Sequence, residues 1–119
     1  MKKRDIRLFH THVSKEAQTY VRKCLKSGKL SEGIAVRHFE MELERRFGME
    51  NVVAVNSGTS ALHLALVAAE VKAGDEVILP AQTFVASAMA VKYCGATPVF
   101  ADIDPATGCL DGISVMQKV

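Results

Sequence analysis

The chain has 119 residues, nearly half of them hydrophobic, and a formal charge of only +2. That is one domain's worth of sequence, with enough apolar matter for a core and too little charge to suggest nucleic acid or a membrane surface as partner. Met1-Lys2-Lys3-Arg4 reads as a solvated tail, no apolar run could cross a bilayer, and Cys24, Cys94 and Cys109 lack metal-ligand spacing, so a cytoplasmic protein is expected.

The first predicted element is a helix over residues 14–26. Ser14 is its N-cap candidate, Glu16 lies in the first turn, and Lys26 precedes Gly28. Ala17, Tyr20, Val21, Cys24 and Leu25 form an apolar stripe at helical spacing. His10 and His12, just upstream, resemble a metal pair by residue type alone, and no metal site is assigned. Residues 27–33 read as a flexible connector. A second amphipathic helix is predicted over residues 34–47. Val36, Phe39, Leu43 and Phe47 are expected inward, with Glu40, Glu42, Glu44 and Arg45 mostly outward. A solvated face accounts for Glu40 and Glu44. Gly48 suits the position just past the helix end.

From Asn51 the pattern becomes β-α-β-α-β. Strands are predicted at residues 52–55, 76–79 and 97–101, and helices at 59–71 and 83–93. Gly74 and Gly95 punctuate the returns from helix to strand. Right-handed crossovers would make the three strands parallel, with helices on the faces. Val115, Met116 and Val119 have helical spacing, so another helix starts near the end of the sequence. The expected organisation is one partial domain, with a helical segment over residues 1–50 and an α/β segment over 51–119.

The densest signal is Ser57-Gly58-Thr59-Ser60-Ala61-Leu62. It joins the β-branched run Val52–Val55 to the Ala- and Leu-rich run that follows. A strand feeding a helix through Ser-Gly-Thr leaves free backbone N–H groups at the helix start. With the hydroxyls and the helix dipole they form an anion site, most often for phosphate. The plainer alternative is an N-cap at Ser57 and a tight turn at Gly58. Ser60, inside the first turn, is expected to face solvent. His63, one turn beyond Thr59, reads as an ordinary core or surface histidine. No G-x-G-x-x-G and no Walker motif is present, which argues against a dinucleotide or nucleoside triphosphate site.

Further motifs follow in order: Gly74-Asp75-Glu76-Val77-Ile78-Leu79-Pro80, Thr83-Phe84-Val85-Ala86, and Gly95-Ala96-Thr97-Pro98-Val99-Phe100-Ala101-Asp102-Ile103-Asp104. Together with S-G-T-S-A-L, and with Ser27–Gly33 and Phe39-Glu40 upstream, they resemble the N-terminal part of the DegT/DnrJ/StrS family of sugar aminotransferases. The resemblance runs from about Phe9 to Asp111. Each motif is weak alone; several in register are a strong signal.

The resemblance implies the α/β large domain of fold-type I enzymes dependent on pyridoxal 5′-phosphate (PLP). It implies that Gly58 and Thr59 bind the PLP phosphate, with Ser57 assisting or serving structure only, and that Phe84 stacks on the pyridine ring. Asp102 and Asp104, next to Pro105, are expected to be architectural. The family's cofactor-binding Lys and the Asp that faces the pyridine nitrogen have no counterpart here. Lys72 and Lys92 match no catalytic motif, so no catalytic residue is assigned. This length is about a third of a complete family enzyme, so the chain is expected to be a fragment, inactive alone and with open sheet edges that seek cover. The full enzyme would move an amino group from an amino acid, glutamate first among them, to a keto nucleotide-sugar, as a homodimer in which residues 27–33 approach the interface. A dehydratase on the same scaffold, a non-catalytic interaction module and a small flavodoxin-like phosphate binder remain as alternatives.

Overall fold

The computed structural model describes residues 9–31 and 33–119. The basic start at residues 1–4 lies outside them. The described residues divide into two compact units, one up to Ala54 and one from Val55 to Val119.

The first unit carries α1 (Lys15–Ser27) and α2 (Ile34–Phe47). Ser14 caps α1 as the sequence predicts, its side chain accepting from the Ala17 N–H. Gly28 and Gly48 end the two helices in the left-handed conformation, and after α2 the Met49 N–H reaches back to the Glu44 carbonyl. Glu42 holds both Arg45 and Arg46 on the surface of α2. The Arg45 hydrogen bonds, then that of Arg46, pull the Glu42 carboxyl down to about 2.

The face of α2 differs from expectation. Phe39 and Phe47 are exposed, whereas Val36, Glu40, Leu43 and Glu44 form its half-buried stripe. The expected strand at 52–55 is also absent: the segment makes no ladder. No neighbouring strand lies beside it among the described residues. Its backbone donors turn instead to α2. The Val52 N–H donates to Glu44 Oε1 at 3.2 Å, and the Ala54 N–H to Glu40 Oε1 at 2.9 Å. Glu40 and Glu44 are therefore not a merely solvated face.

The second unit runs α3 (Gly58–Ala68), β1 (Glu76–Pro80), α4 (Ala86–Tyr93), β2 (Thr97–Ala101) and α5 (Gly112–Met116). β1 and β2 pair in parallel, Glu76 opposite Thr97 and Pro80 opposite Ala101. α4 is the crossover between them, as the β-α-β reading requires. The core is Leu79, Val91 and Ala96, joined by Leu66, Val71 and Val77. Small residues let α4 approach closely: Ala86, Ala90 and Val91 are its buried positions.

Two helices are shorter than the sequence suggests. α3 stops at Ala68 because Glu70 turns left-handed, with Glu70 N–H on Val67 O and Val71 N–H on Leu66 O. That closure folds Val71 onto the core instead of extending the helix. α4 begins at Ala86 because Phe84 supplies a carbonyl to the Ser87 N–H while the Thr83 and Ser87 hydroxyls pair at 3.0 Å. Gly95 closes α4 in the same way as Glu70 closes α3. A Cβ there would lie 3.3 Å from Ala73 Cβ, so glycine meets both the positive φ and the close approach.

After β2 the chain makes a turn organised by Asp104, whose carboxylate accepts from the Ala106 N–H and the Thr107 hydroxyl. Ile103 and Leu110 bridge across it. The Asp102 backbone bonds the buried Ser114 and receives the Asp111 N–H, and the Asp111 side chain caps α5. These two aspartates act in turn architecture.

Candidate functional site

Gly58 and Thr59 form the first turn of α3. Ser57 is extended, and its Oγ accepts from the Ser60 N–H at 3.1 Å. Its carbonyl accepts from the Ala61 N–H. The amides of Gly58 and Thr59 thus keep no acceptor among the described residues, nor does the Thr59 hydroxyl have a partner there. Those amides are the orphan donors that a helix start presents to an anion. The expected role of Ser60 changes. Its hydroxyl lies 2.9 Å from Asn56 Oδ1 and 2.9 Å from Ser57 Oγ, which fixes the cap.

Phe84 reaches the same place from another direction. It sits between β1 and α4, and 77% of it is exposed. An open-sided cavity of about 490 Å³ is lined by Gly58, Thr59, Ala61, Leu62, Phe84, Ala86 and Ser87. The first turns of α3 and α4 therefore share one cavity with an uncovered aromatic ring. None of the lining residues is charged, so a bound anion would meet amide and hydroxyl donors rather than a salt bridge. Ala86 and Ser87 were not singled out in the sequence; the i, i+4 spacing of Thr83 and Ser87 was the available signal.

The other polar residues considered lie elsewhere. His63 is half-buried and packs edge-on against Tyr93, with ring centroids 5.5 Å apart. His10 and His12 are exposed. Among the described residues no group of His, Cys, Asp or Glu is arranged to hold a metal, and no helix is long and apolar enough to cross a membrane.

These donors fit a phosphorylated aromatic ligand. Two free amides and a hydroxyl suit the phosphate, and the ring of Phe84 suits a flat heterocycle. The volume lies in the usual range of about 300–1,000 Å³ for small-molecule sites.

Comparison with known proteins gives a consistent result. A model of the DegT/DnrJ/EryC1/StrS aminotransferase family matches residues 11–119. GDP-perosamine synthase of Caulobacter vibrioides is 48% identical over 96 residues, which is 77% of this chain and 25% of that protein. Among solved structures, the aminotransferase TlmJ from Streptoalloteichus hindustanus superposes with a TM-score of 0.84 at 35% identity, over 96% of this chain and 32% of that one. NtdA from Bacillus subtilis, solved with bound cofactor PMP, superposes with a TM-score of 0.79 at 33% identity, over 86% of this chain and 23% of that one. The chain thus spans about a quarter to a third of the length of these relatives.

Proposed function

The chain belongs to the DegT/DnrJ/EryC1/StrS aminotransferase family, and from that membership we propose that it supplies the phosphate-binding part of a PLP-dependent sugar aminotransferase. The observation that carries this reading is the meeting of Gly58, Thr59 and Phe84 at one cavity. The Gly58 and Thr59 amides and the Thr59 hydroxyl hold the phosphate. Ser57 and Ser60 brace the turn. Phe84 lies against the pyridine face and fixes its plane. When bound, PLP supplies the electron sink for amino-group chemistry. In the whole enzyme the acceptor is a keto nucleotide-sugar and the donor an amino acid, glutamate first among them. GDP-perosamine synthase as a relative supports the sugar-linked substrate. We place the enzyme in the cytoplasm and working as a homodimer.

Inorganic phosphate and PLP are both expected to bind the chain weakly, with dissociation constants in the millimolar range, about −4 kcal/mol. Thr59→Ala removes a hydroxyl donor to the charged group. It is expected to weaken both ligands by about tenfold. Isothermal titration of wild type and variant checks this, and unchanged affinity for both ligands would sink the assignment of Thr59.

A further inference from the structure

A ring as exposed as that of Phe84 gains little from packing, so its place depends on how its backbone is held. The chain is fixed on both sides of it. Toward β1, the Ala81 N–H donates to the Ala101 carbonyl at 2.8 Å, which carries the parallel pairing one residue past Pro80. Toward α4, Ala86 is buried.

The start of α4 lacks a side-chain cap. Val85, the residue before it, is already in the helical conformation and has no side-chain acceptor to offer. Two other bonds close the entry. The Phe84 carbonyl accepts from the Ser87 N–H at 3.0 Å, and the Thr83 and Ser87 hydroxyls lie 3.0 Å apart. The main-chain bond begins at Phe84 itself, and the hydroxyl pair brackets it. Ser87 is half-buried and, with Thr59, is one of two hydroxyl residues that line the cavity. Thr83 is exposed and does not line it. The hydroxyl pair thus ties the cavity wall to a surface residue across the backbone of Phe84.

We propose that Thr83 and Ser87 are positioning residues for Phe84. Their hydroxyl pair closes residues 83–87 into one loop and keeps the aromatic side chain at the cavity. The inference rests on the reading of Phe84 as the ring that lies against the cofactor. A closed loop is already ordered, so less freedom is lost when a flat ligand arrives against the ring.

Thr83→Val and Thr83→Ser test this in the chain. Valine keeps the branched shape and loses the hydroxyl, while serine keeps the hydroxyl. Neither change removes a residue that lines the cavity. Without ligand, Thr83→Val is expected to speed amide exchange at Ser87 by about fivefold and to displace the backbone signals of Phe84, and Thr83→Ser to stay within about twofold of wild type. With PLP, Thr83→Val is expected to bind about three- to tenfold more weakly and Thr83→Ser to restore the affinity. Inorganic phosphate is expected to bind all three proteins within about twofold. The upfield shift that the Phe84 ring imposes on the PLP ring proton should shrink in Thr83→Val and return in Thr83→Ser. Should Thr83→Val not fold, Ser87→Ala against Ser87→Thr makes the same comparison. Exchange at Ser87 and Phe84 signals that are alike in the valine and serine variants overturn the proposal, as does an equal loss of PLP and phosphate. If wild type binds neither ligand, the cofactor reading fails, while the comparison without ligand still decides whether the hydroxyl pair holds Phe84.

Discussion

Leu79→Ala is expected to cost the unit from Val55 to Val119 about 2–5 kcal/mol. Leu79 is the buried residue of β1, only 4% exposed, and packs with Val91 of α4 and with Ala96. Truncation removes buried methyl groups and leaves a cavity between the sheet and its crossover helix. The neighbours cannot collapse into it easily, because Ala90 and Ala96 are already small and Val91 is stiff at its branched Cβ. Against a typical total of about 5–15 kcal/mol, that loss is a large fraction. Ile113→Ala is the internal control: Ile113 is 73% exposed, and its loss is expected within about 0.5 kcal/mol. Urea unfolding followed by circular dichroism measures both. A Leu79→Ala midpoint no lower than that of Ile113→Ala would mean that the core does not sit between β1 and α4.

Phe84→Ala is expected to separate the two ligands of the site. The ring is largely uncovered, so removing it costs little packing, and the fold should survive. PLP should bind about tenfold more weakly, since stacking contributes about 0.5–1.5 kcal/mol beyond the apolar area it covers. Inorganic phosphate has no ring and should lose less than about twofold by the same reasoning. Parallel titrations of wild type and variant read this directly. Equal losses for the two ligands would remove Phe84 from its stacking role and leave it as an aromatic wall of the cavity.

Much of the fold was legible because it depends on local chemistry. Ser14 and Ser57 cap the helices that the sequence assigns to them, and Gly28 and Gly48 end theirs. The strands at Glu76–Pro80 and Thr97–Ala101 follow from short apolar runs bounded by turn residues. What could not be read depends on partners distant in sequence. Val52–Val55 has the composition of a buried strand, yet a ladder needs a neighbour, and glutamate side chains took its place. The helical-wheel reading of α2 put charged residues outward by type, and so missed that Glu40 and Glu44 face backbone donors. It also placed Phe39 and Phe47 inward, although both are exposed. The end of α3 was hidden for another reason: a glutamate at position 70 adopts the left-handed conformation that usually announces itself as glycine. For the site, the sequence named Gly58, Thr59 and Phe84, and the crossover topology joined them at one cavity. The bracing of Ser57 by Ser60, itself held by Asn56, depends on side-chain geometry that residue types alone do not reveal.

We propose that the first turn of α3 is a phosphate site with free backbone donors. The most direct measurement is an amide-resolved NMR titration of the chain with inorganic phosphate, followed by PLP. Saturable shifts are expected, largest at the Gly58 and Thr59 amides with both ligands, with additional shifts at Phe84 and its neighbours with PLP alone. Shifts that never saturate, or that centre on residues away from Gly58 and Thr59, would contradict it.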